Sequence, residues 1–288
     1  MSTDDLDEAD GAGKADGPEE ALYTRMRWNT PLSLEHAGLL MDRLDLRPGL
    51  RIADLGCGWG ELLLQAVARA MEGEGDDARD GNGASGSGTA SGSGSGTAGS
   101  SGTAADGIIG IGVDTDVAQL SRGRRLARQR GLDRIVMFTE ADAAHWHGTA
   151  SRVLCVGASH AFGGTERALA ALAGRVPPGG RLLYGDGCWE NPPTAAAAGL
   201  FGDEVLPLPG LLEACRAAGW RVIHMSTAGQ REWDDFESTF RAGRQEWLTG
   251  HGGDPRAAEV RDWLDTRERQ YVEVYRQVLG FAYLILAH

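Results

Sequence analysis

Short apolar segments alternate with helical segments along most of the chain. The apolar segments are rich in Ile, Val and Leu, and the helical segments repeat apolar positions every three or four residues. The predicted strands are 51–54, 107–114, 135–138, 152–157, 181–185 and 220–226, and the predicted helices are 61–70, 117–130, 165–173 and 208–219. Strands that alternate with helices form a mostly parallel sheet covered on both faces, so the pattern predicts an α/β fold.

Two segments lack the apolar residues that a core needs. Residues 1–20 are acidic, and 73–106 consist mainly of Gly, Ser, Ala and Thr. We expect a disordered acidic tail at 1–20 and a flexible insertion at 73–106, within a single domain that spans 21–288. Without the 34 residues of that insertion, Asp54 and Asp114 lie 26 positions apart. This is close to the spacing of about 20 between a glycine turn and the acid that ends the next strand of a nucleotide-binding fold.

Charge and composition argue against several kinds of partner. The formal net charge is −13, and Lys14 is the only lysine. An acidic protein attracts polyphosphate poorly, so no nucleic-acid substrate is expected. No cysteine pair has zinc-site spacing and no Asp/His cluster has ligand spacing, so no metal is expected. The acidic N-terminus and the lack of a long apolar stretch predict a cytoplasmic protein without a membrane span.

The segment 51–61, RIADLGCGWGE, carries the most specific chemical signal. A strand ends at Asp54, and glycines at 56, 58 and 60 turn the chain into a helix that begins at Glu61. Glycine lets a ligand lie directly against the backbone. A dinucleotide-binding turn would have its third glycine at 61, where Glu61 instead puts a carboxylate at the helix N-terminus that a pyrophosphate would use. Asp54 and Glu61 therefore favour a ligand with cationic sulfonium and ammonium groups.

Asp54, Gly56, Gly58 and Gly60 resemble motif I, D-x-G-x-G-x-G, of the class I S-adenosylmethionine-dependent methyltransferases. The resemblance implies S-adenosyl-L-methionine as the cofactor. It also implies a Rossmann-like sheet of seven strands, mostly parallel, in which the last strand inserts antiparallel beside the sixth. The apolar run 279–287 would be that last strand, and two long helices before it, within 231–277, would form a lid over the active-site end of the sheet.

Two further acids occupy positions where this family binds its cofactor. Asp114 ends the second strand, where a carboxylate can accept hydrogen bonds from both ribose hydroxyls. The alternative is that Asp114 caps the following helix or serves as a turn aspartate before it. Asp142 would lie beside the adenine amino group, and its alternative is a loop residue without a binding role.

His160 and Glu190 are the candidate catalytic residues. The segment after the fourth strand, CVGASHAF, lacks the Asn/Asp-Pro-Pro-aromatic motif of the DNA and protein-glutamine amino-methyltransferases, but it offers His160. Histidine can take a proton from a hydroxyl, an amine or an indole nitrogen near neutral pH. Glu190 follows the fifth strand in a segment that would line the acceptor pocket. A structural role is the alternative for His160.

Aromatic residues suggest the kind of acceptor. The predicted substrate-binding residues are Trp28, Trp189, Trp233 and Phe236. An aromatic-rich site suits a flat, apolar molecule. Aromatic residues at helical spacing also pack cores, and this alternative stays open.

The sequence thus predicts a methyltransferase that acts on a small aromatic or apolar metabolite at carbon, nitrogen or oxygen. Over nearly its full length the chain also resembles small-molecule methyltransferases of bacterial secondary metabolism, some of which methylate indole carbons of natural products. One alternative is a non-catalytic S-adenosylmethionine-binding regulatory protein. A Rossmann dehydrogenase is another, and Glu61 argues against it.

Overall fold

The computed structural model describes residues 17–72, 107–202 and 204–288. The predicted insertion at 73–106 and residues 1–16 of the predicted acidic tail lie outside the described residues. One helical turn, Pro18–Ala21, begins inside the stretch predicted as a tail.

The described elements follow the predicted alternation. The strands are β1 (Ile52–Leu55), β2 (Gly110–Asp114), β3 (Val136–Glu140), β4 (Arg152–Val156), β5 (Arg181–Trp189), β6 (Leu206–Pro207), β7 (Arg221–Thr227) and β8 (Leu279–Ala287). The α-helices are α1 (Pro18–Ala21), α2 (Leu34–Leu44), α3 (Glu61–Glu72), α4 (Val117–Gln129), α5 (Thr165–Ala173), α6 (Ala195–Phe201), α7 (Leu208–Ala217), α8 (Gln230–Gly250) and α9 (Ala257–Arg269). Short 3₁₀ turns span Ala143–His145 and Ser159–Phe162, and a π-helical segment spans Gln270–Tyr275.

The strands form one sheet in the order β3-β2-β1-β4-β5-β8-β7, and the two-residue β6 pairs with β5 outside this order. Strands β1 to β5 are parallel to one another. The last strand, β8, lies between β5 and β7 and is antiparallel to both. The predicted α/β class and the antiparallel insertion of the last strand are confirmed.

Strand β5 is longer than the predicted segment 181–185. It pairs with β8 along eight positions, from Leu182 opposite Leu286 to Trp189 opposite Leu279. Gly185 and Gly187 are residues more typical of turns than of strand interiors, and the predicted strand ends at the first of them. Pairing with the antiparallel last strand keeps this glycine-containing segment extended.

Helix α2 was absent from the predicted elements. Ser33 caps it by accepting a hydrogen bond from the backbone N–H of His36 at 3.2 Å. Its buried residues, Ala37, Leu40, Met41 and Leu44, repeat at helical spacing. The helix therefore forms by packing an apolar stripe against the sheet.

The two faces of the sheet pack separate apolar layers. Ile52, Leu154 and Ile285 belong to one layer. Ala53 and Val153, the neighbours of two of these residues in their strands, belong to the other. Adjacent residues of a strand point to opposite faces, so both faces are covered and the strand ends are left for a site.

Helices α8 and α9 are joined by a buried ion pair. Glu237 is fully buried, and the guanidinium of Arg267 donates to its two carboxylate oxygens at 2.7 and 3.0 Å. The hydroxyl of Tyr275 also donates to Glu237, at 2.7 Å. None of the described helices is long and apolar enough to cross a lipid bilayer.

Candidate active site

Three glycines shape the turn after β1, and their roles differ. Gly56, Gly58 and Gly60 all have φ in the left-handed region, at 78°, 54° and 68°. A Cβ at Gly56 would lie 2.3 Å from the Cβ of Ala158, and a Cβ at Gly60 would lie 2.4 Å from the ring of Phe138. At Gly58 a Cβ would have no protein atom within 4 Å. Gly56 and Gly60 thus allow close packing, whereas Gly58 borders open space.

A cavity of about 260 Å³ lies at the carboxyl ends of the parallel strands. Ligands of open α/β sheets bind at this edge. The predicted cofactor-binding residues that line it are Asp54, Gly56, Gly58, Asp114 and Asp142. Gly60, the sixth of the predicted set, is not among its lining residues and contributes through its packing on Phe138.

Asp54 is a buried carboxyl group at this cavity. Asp54 is 4% exposed. Among the residues that the structure describes, its carboxyl group has no hydrogen-bond or ion-pair partner. Burial, together with the nearby charge of Asp114, raises the pKa of Asp54 to about 8. A buried carboxylate without a partner is costly, so the site favours a ligand that brings a positive charge to it.

Glu61 differs from Asp54 because its charge is balanced. The Nη2 of Arg130 lies 2.7 Å from one carboxylate oxygen, and Arg27 lies 3.8 Å from the other. Gln65 also donates to Glu61, at 2.9 Å. The expectation that Glu61 attracts a cationic ligand is therefore weakened, and Asp54 is the uncompensated acid of the pair.

Asp114 is held in place by two backbone donors. The N–H of Gly58 donates to its Oδ2 at 2.7 Å, and the N–H of Asp116 donates to its Oδ1 at 2.9 Å. Helix α4 is capped by Asp116, which accepts from the backbone of Ala118 and Gln119. Asp116, not Asp114, thus caps this helix, but the bond from Asp116 N–H gives Asp114 the turn role that was part of the alternative. Asp114 also lines the cavity, and its carboxylate has lone pairs to spare for a ligand.

Asp142 lines the cavity while it caps the short turn Ala143–His145. It accepts from the N–H of Ala144 at 2.8 Å, and its other oxygen lies 2.9 Å from Nδ1 of His145. The hydrogen bond from Ala144 is the main reason that the pKa of Asp142 is lowered. The carboxylate is thus kept ionised and can accept a further hydrogen bond from a ligand.

The two candidate catalytic residues lie in different places. His160 lies on the turn Ser159–Phe162 after β4, is exposed, and lines the cavity. Its side chain has no hydrogen-bond partner among the residues that the structure describes. Glu190 follows the end of the extended β5, is exposed, and packs its stem over Gly280. Glu190 does not line this cavity, nor does it line the second cavity described below. The structure therefore places Glu190 away from the candidate active site.

A second cavity, of about 540 Å³, adjoins the first. It is bordered by the segment 25–35 and by helix α8, and it shares Trp28 and Thr30 with the first cavity. Its apolar lining residues are Met26, Trp28, Leu32, Leu34 and Phe236. Thus two of the predicted substrate-binding residues, Trp28 and Phe236, lie at cavity walls.

Trp189 and Trp233 are core residues instead. They are 7% and 8% exposed and belong to the apolar layer on one face of the sheet. Trp189 packs edge-on against Phe201, and Trp233 packs edge-on against Phe236. For these two tryptophans the alternative of a packed core is correct, because the lengthened β5 and the first turns of α8 direct them into the apolar layer.

The segment 23–30 is the part of the site that the sequence indicated least. Tyr23, Asn29 and Thr30 line the first cavity together with Trp28. The guanidinium of Arg122 holds this segment by donating to the carbonyls of Tyr23 and Met26, at 2.9 and 2.7 Å. Its aromatic residues were the available signal, but nothing in their spacing connects them to the glycine turn.

Sequence and structure comparisons relate the chain to bacterial proteins of matching length. No protein-family model matches it. It is 30% identical to the uncharacterised protein YjhP of Escherichia coli over 267 residues, which cover 90% of this chain and 93% of YjhP. The crystal structure of YjhP superposes with a TM-score of 0.72 at 28% identity and covers 94% of this chain and 98% of YjhP.

Two further solved structures carry a bound ligand. A SAM-dependent methyltransferase from Geobacter sulfurreducens, in complex with S-adenosyl-L-homocysteine, superposes with a TM-score of 0.73 at 27% identity and covers 93% of this chain and 96% of its own. A SAM-dependent methyltransferase from Thiobacillus denitrificans, in complex with the same ligand, gives 0.72 at 27% identity and the same coverage.

Proposed function

This chain belongs to the class I S-adenosylmethionine-dependent methyltransferases, and on that premise we propose that it methylates a small metabolite with a flat, apolar body. The observation that carries the proposal is the junction of the two cavities at Trp28 and Thr30. One cavity has the acids and bare backbone of a cofactor site. The other has five apolar residues, Trp28 and Phe236 among them, within a wall that also carries charged and polar residues. An acceptor in the second cavity would meet the methyl donor at the junction.

S-Adenosyl-L-methionine fits the residues of the first cavity. We assign Asp54 to the ammonium group, Asp114 to the ribose hydroxyls and Asp142 to the adenine amino group. Gly58 leaves backbone exposed where the ligand would lie. The fit rests on the unpartnered buried carboxyl of Asp54, which a cationic ligand would compensate. When bound, the cofactor supplies an electrophilic methyl group on a sulfonium.

The residues of the chain would assist transfer by orienting the reactants. Backbone donors fix Asp114 before any ligand arrives, so little reorganisation is needed on binding. Trp28 and Phe236 would position a planar acceptor, and the segment 23–30 would exclude water above it. Holding two reactants in line can lower the barrier by several kcal/mol. His160 is the proposed base for an acceptor that must lose a proton.

We also propose that helices α8 and α9 act as the lid of this site, because α8 provides one wall of the second cavity. A metabolite of bacterial secondary metabolism remains the proposed type of acceptor. In the part of the chain that the structure describes, no group of three or more His, Cys, Asp and Glu could hold a metal ion.

Filling the second cavity tests the proposal. Thr239 lies on α8 and lines this cavity. We expect Thr239→Trp to lower turnover of an aromatic acceptor by about 100-fold, because displacement of a reactant by about 1 Å has effects of that size. Affinity for S-adenosylmethionine, measured by calorimetry, should stay unchanged. Thr249→Trp is the control, since Thr249 is exposed on the same helix and lines neither cavity. Equal activity of both variants would place the acceptor elsewhere.

The raised pKa of Asp54 predicts a pH dependence of cofactor binding. Below pH 8 the carboxyl group of the free protein is mostly protonated. A cationic ligand favours the ionised form, so binding should release a proton, and affinity should rise with pH up to about 8. The expected slope is about tenfold per pH unit between the pKa of the bound form, which the ligand lowers, and the pKa of about 8 of the free form.

Calorimetry in buffers of different ionisation enthalpy measures this proton release. Asp54→Asn, which cannot ionise, should weaken binding and remove the pH dependence. Affinity that is constant from pH 6 to 8 in the wild type, or proton uptake on binding, would contradict the assignment of Asp54.

A further inference from the structure

Thr30 is a buried polar residue at the junction of the two cavities. Thr30 is 5% exposed and lines both cavities. Trp28 is the other residue that both cavities share. These two side chains are therefore the ones that an acceptor would meet where it approaches the methyl donor.

The hydroxyl proton of Thr30 is committed to the protein. The hydroxyl of Tyr283 donates to the carbonyl of Pro31 at 3.0 Å, and its oxygen lies 2.8 Å from Oγ1 of Thr30. A phenol has one proton, and a carbonyl can only accept. Because Tyr283 uses its proton on Pro31, Thr30 donates its own proton to the Tyr283 oxygen. Burial raises the pKa of Tyr283 well above its ordinary value, so the phenol remains a donor.

The indole of Trp28 is committed in the same way. Its Nε1–H donates to the carbonyl of Leu32 at 2.5 Å. The two shared side chains thus have no free hydrogen-bond donor; Trp28 has an aromatic ring, and Thr30 Oγ1 has lone pairs that a ligand donor could use. An acceptor that fits this junction has a flat body and a donor group of its own.

We infer that Thr30 is a positioning residue that selects acceptors carrying an N–H on the nitrogen to be methylated. This inference rests on the proposed function. For a primary aromatic amine, one N–H would donate to Thr30 Oγ1, and this contact would turn the nitrogen lone pair toward the methyl group.

The nitrogen lone pair then forms the bond to the methyl carbon. The carbon–sulfur bond breaks and its electron pair stays on sulfur, which becomes a neutral thioether. The nitrogen, now positively charged, loses its second proton to His160, the proposed base, and keeps the N–H that donates to Thr30. The Thr30 hydroxyl changes neither its charge nor its proton, so its effect is on orientation and binding.

Anilines test this inference because they are flat and neutral near pH 7.5, and along the series each N–H is replaced by a methyl group; the Thr30 variants separate the lost hydrogen bond from the added bulk. Aniline and N-methylaniline should bind to the protein saturated with S-adenosylhomocysteine, and N,N-dimethylaniline should bind about tenfold more weakly, the size of one hydrogen bond. Thr30→Val, which keeps the shape but lacks the hydroxyl, should weaken aniline binding and lower kcat/KM about tenfold. Thr30→Ser should stay within about threefold of the wild type, as should Thr249→Val, which alters an exposed threonine.

Tyr283→Phe tests the direction of the hydrogen bond. Without the phenol the Thr30 proton is free to point at a ligand, so the preference for aniline over N,N-dimethylaniline should shrink. In Thr30→Val the affinity for S-adenosylmethionine should be unchanged, because the residue acts on the acceptor.

Several results would overturn the inference. One is that Thr30→Val binds aniline as tightly as the wild type does. Another is that the wild type binds aniline and N,N-dimethylaniline equally, or binds no aniline at all. The last is that Thr30→Val loses affinity only for the cofactor. The proposed function fails by a different readout, namely that no S-adenosylhomocysteine forms while the anilines bind with the predicted order.

Discussion

Gly58→Val should abolish detectable binding of S-adenosylmethionine, an affinity loss of at least about 100-fold or 2.7 kcal/mol. Gly58 lines the cofactor cavity, and no protein atom lies within 4 Å of where its Cβ would be. The protein itself therefore leaves room for a Cβ, and the branched side chain of valine would extend into the space beside the bare backbone that we assign to the ligand. Calorimetric titration with the cofactor and with S-adenosylhomocysteine measures the effect.

The control separates this effect from backbone strain. Gly49 has φ of 78°, no atom within 4 Å of a Cβ position, and no contact with either cavity. Gly49→Val should lower the melting temperature as Gly58→Val does, because both force a β-branched residue into the left-handed region. It should leave cofactor affinity intact. Wild-type affinity in Gly58→Val would disprove the position assigned to the cofactor.

His160→Ala should lower kcat about 100-fold while affinity for S-adenosylmethionine stays unchanged. General base catalysis contributes factors of this size, and the histidine would act mainly in the transition state. His160→Gln keeps a hydrogen-bonding group but cannot take the proton, so it should be nearly as slow. His147→Ala is the matched control, since His147 is exposed and lines neither cavity.

The other candidate bases are less well placed. Glu190 lies outside both cavities. Asp186 is already engaged, because its Oδ2 accepts from Tyr184 at 2.7 Å and from Thr165 at 2.8 Å. If His160→Gln retains most of the wild-type kcat, the histidine positions the acceptor or only packs, and the proposal of a base at this residue is wrong.

The fold was predictable because its signals are local. Strand and helix periodicity, the glycine turn after Asp54 and the acid that ends β2 each occupy a short stretch of sequence. The rules for connecting parallel strands limit the possible orders of the sheet, and the antiparallel place of the last strand was implied by the family resemblance. Helix α2 was missed although its apolar stripe and its Ser33 cap are visible in the sequence.

The acceptor side was less predictable because it depends on distant pairing. Glu190 was placed at the site on the assumption that β5 ends at Gly185, but pairing with β8 extends the strand to Trp189. The same extension turns Trp189 into a core residue. Trp28, predicted to bind substrate, lines both cavities. Thr30, two residues on, belongs to no sequence motif, and its proposed role rests on its contact with the distant Tyr283.

The most direct measurement uses S-adenosylmethionine that carries a deuterated methyl group, incubated with the wild-type protein and a pool of flat aromatic amines. We predict that S-adenosylhomocysteine forms in step with one amine that gains a single deuterated methyl group. We also predict that both products disappear in Gly58→Val. If the cofactor binds but neither S-adenosylhomocysteine nor a labelled amine forms, the protein does not methylate aromatic amines. If the same result holds for every flat metabolite tried, the protein binds S-adenosylmethionine without catalysis, which contradicts the proposed function.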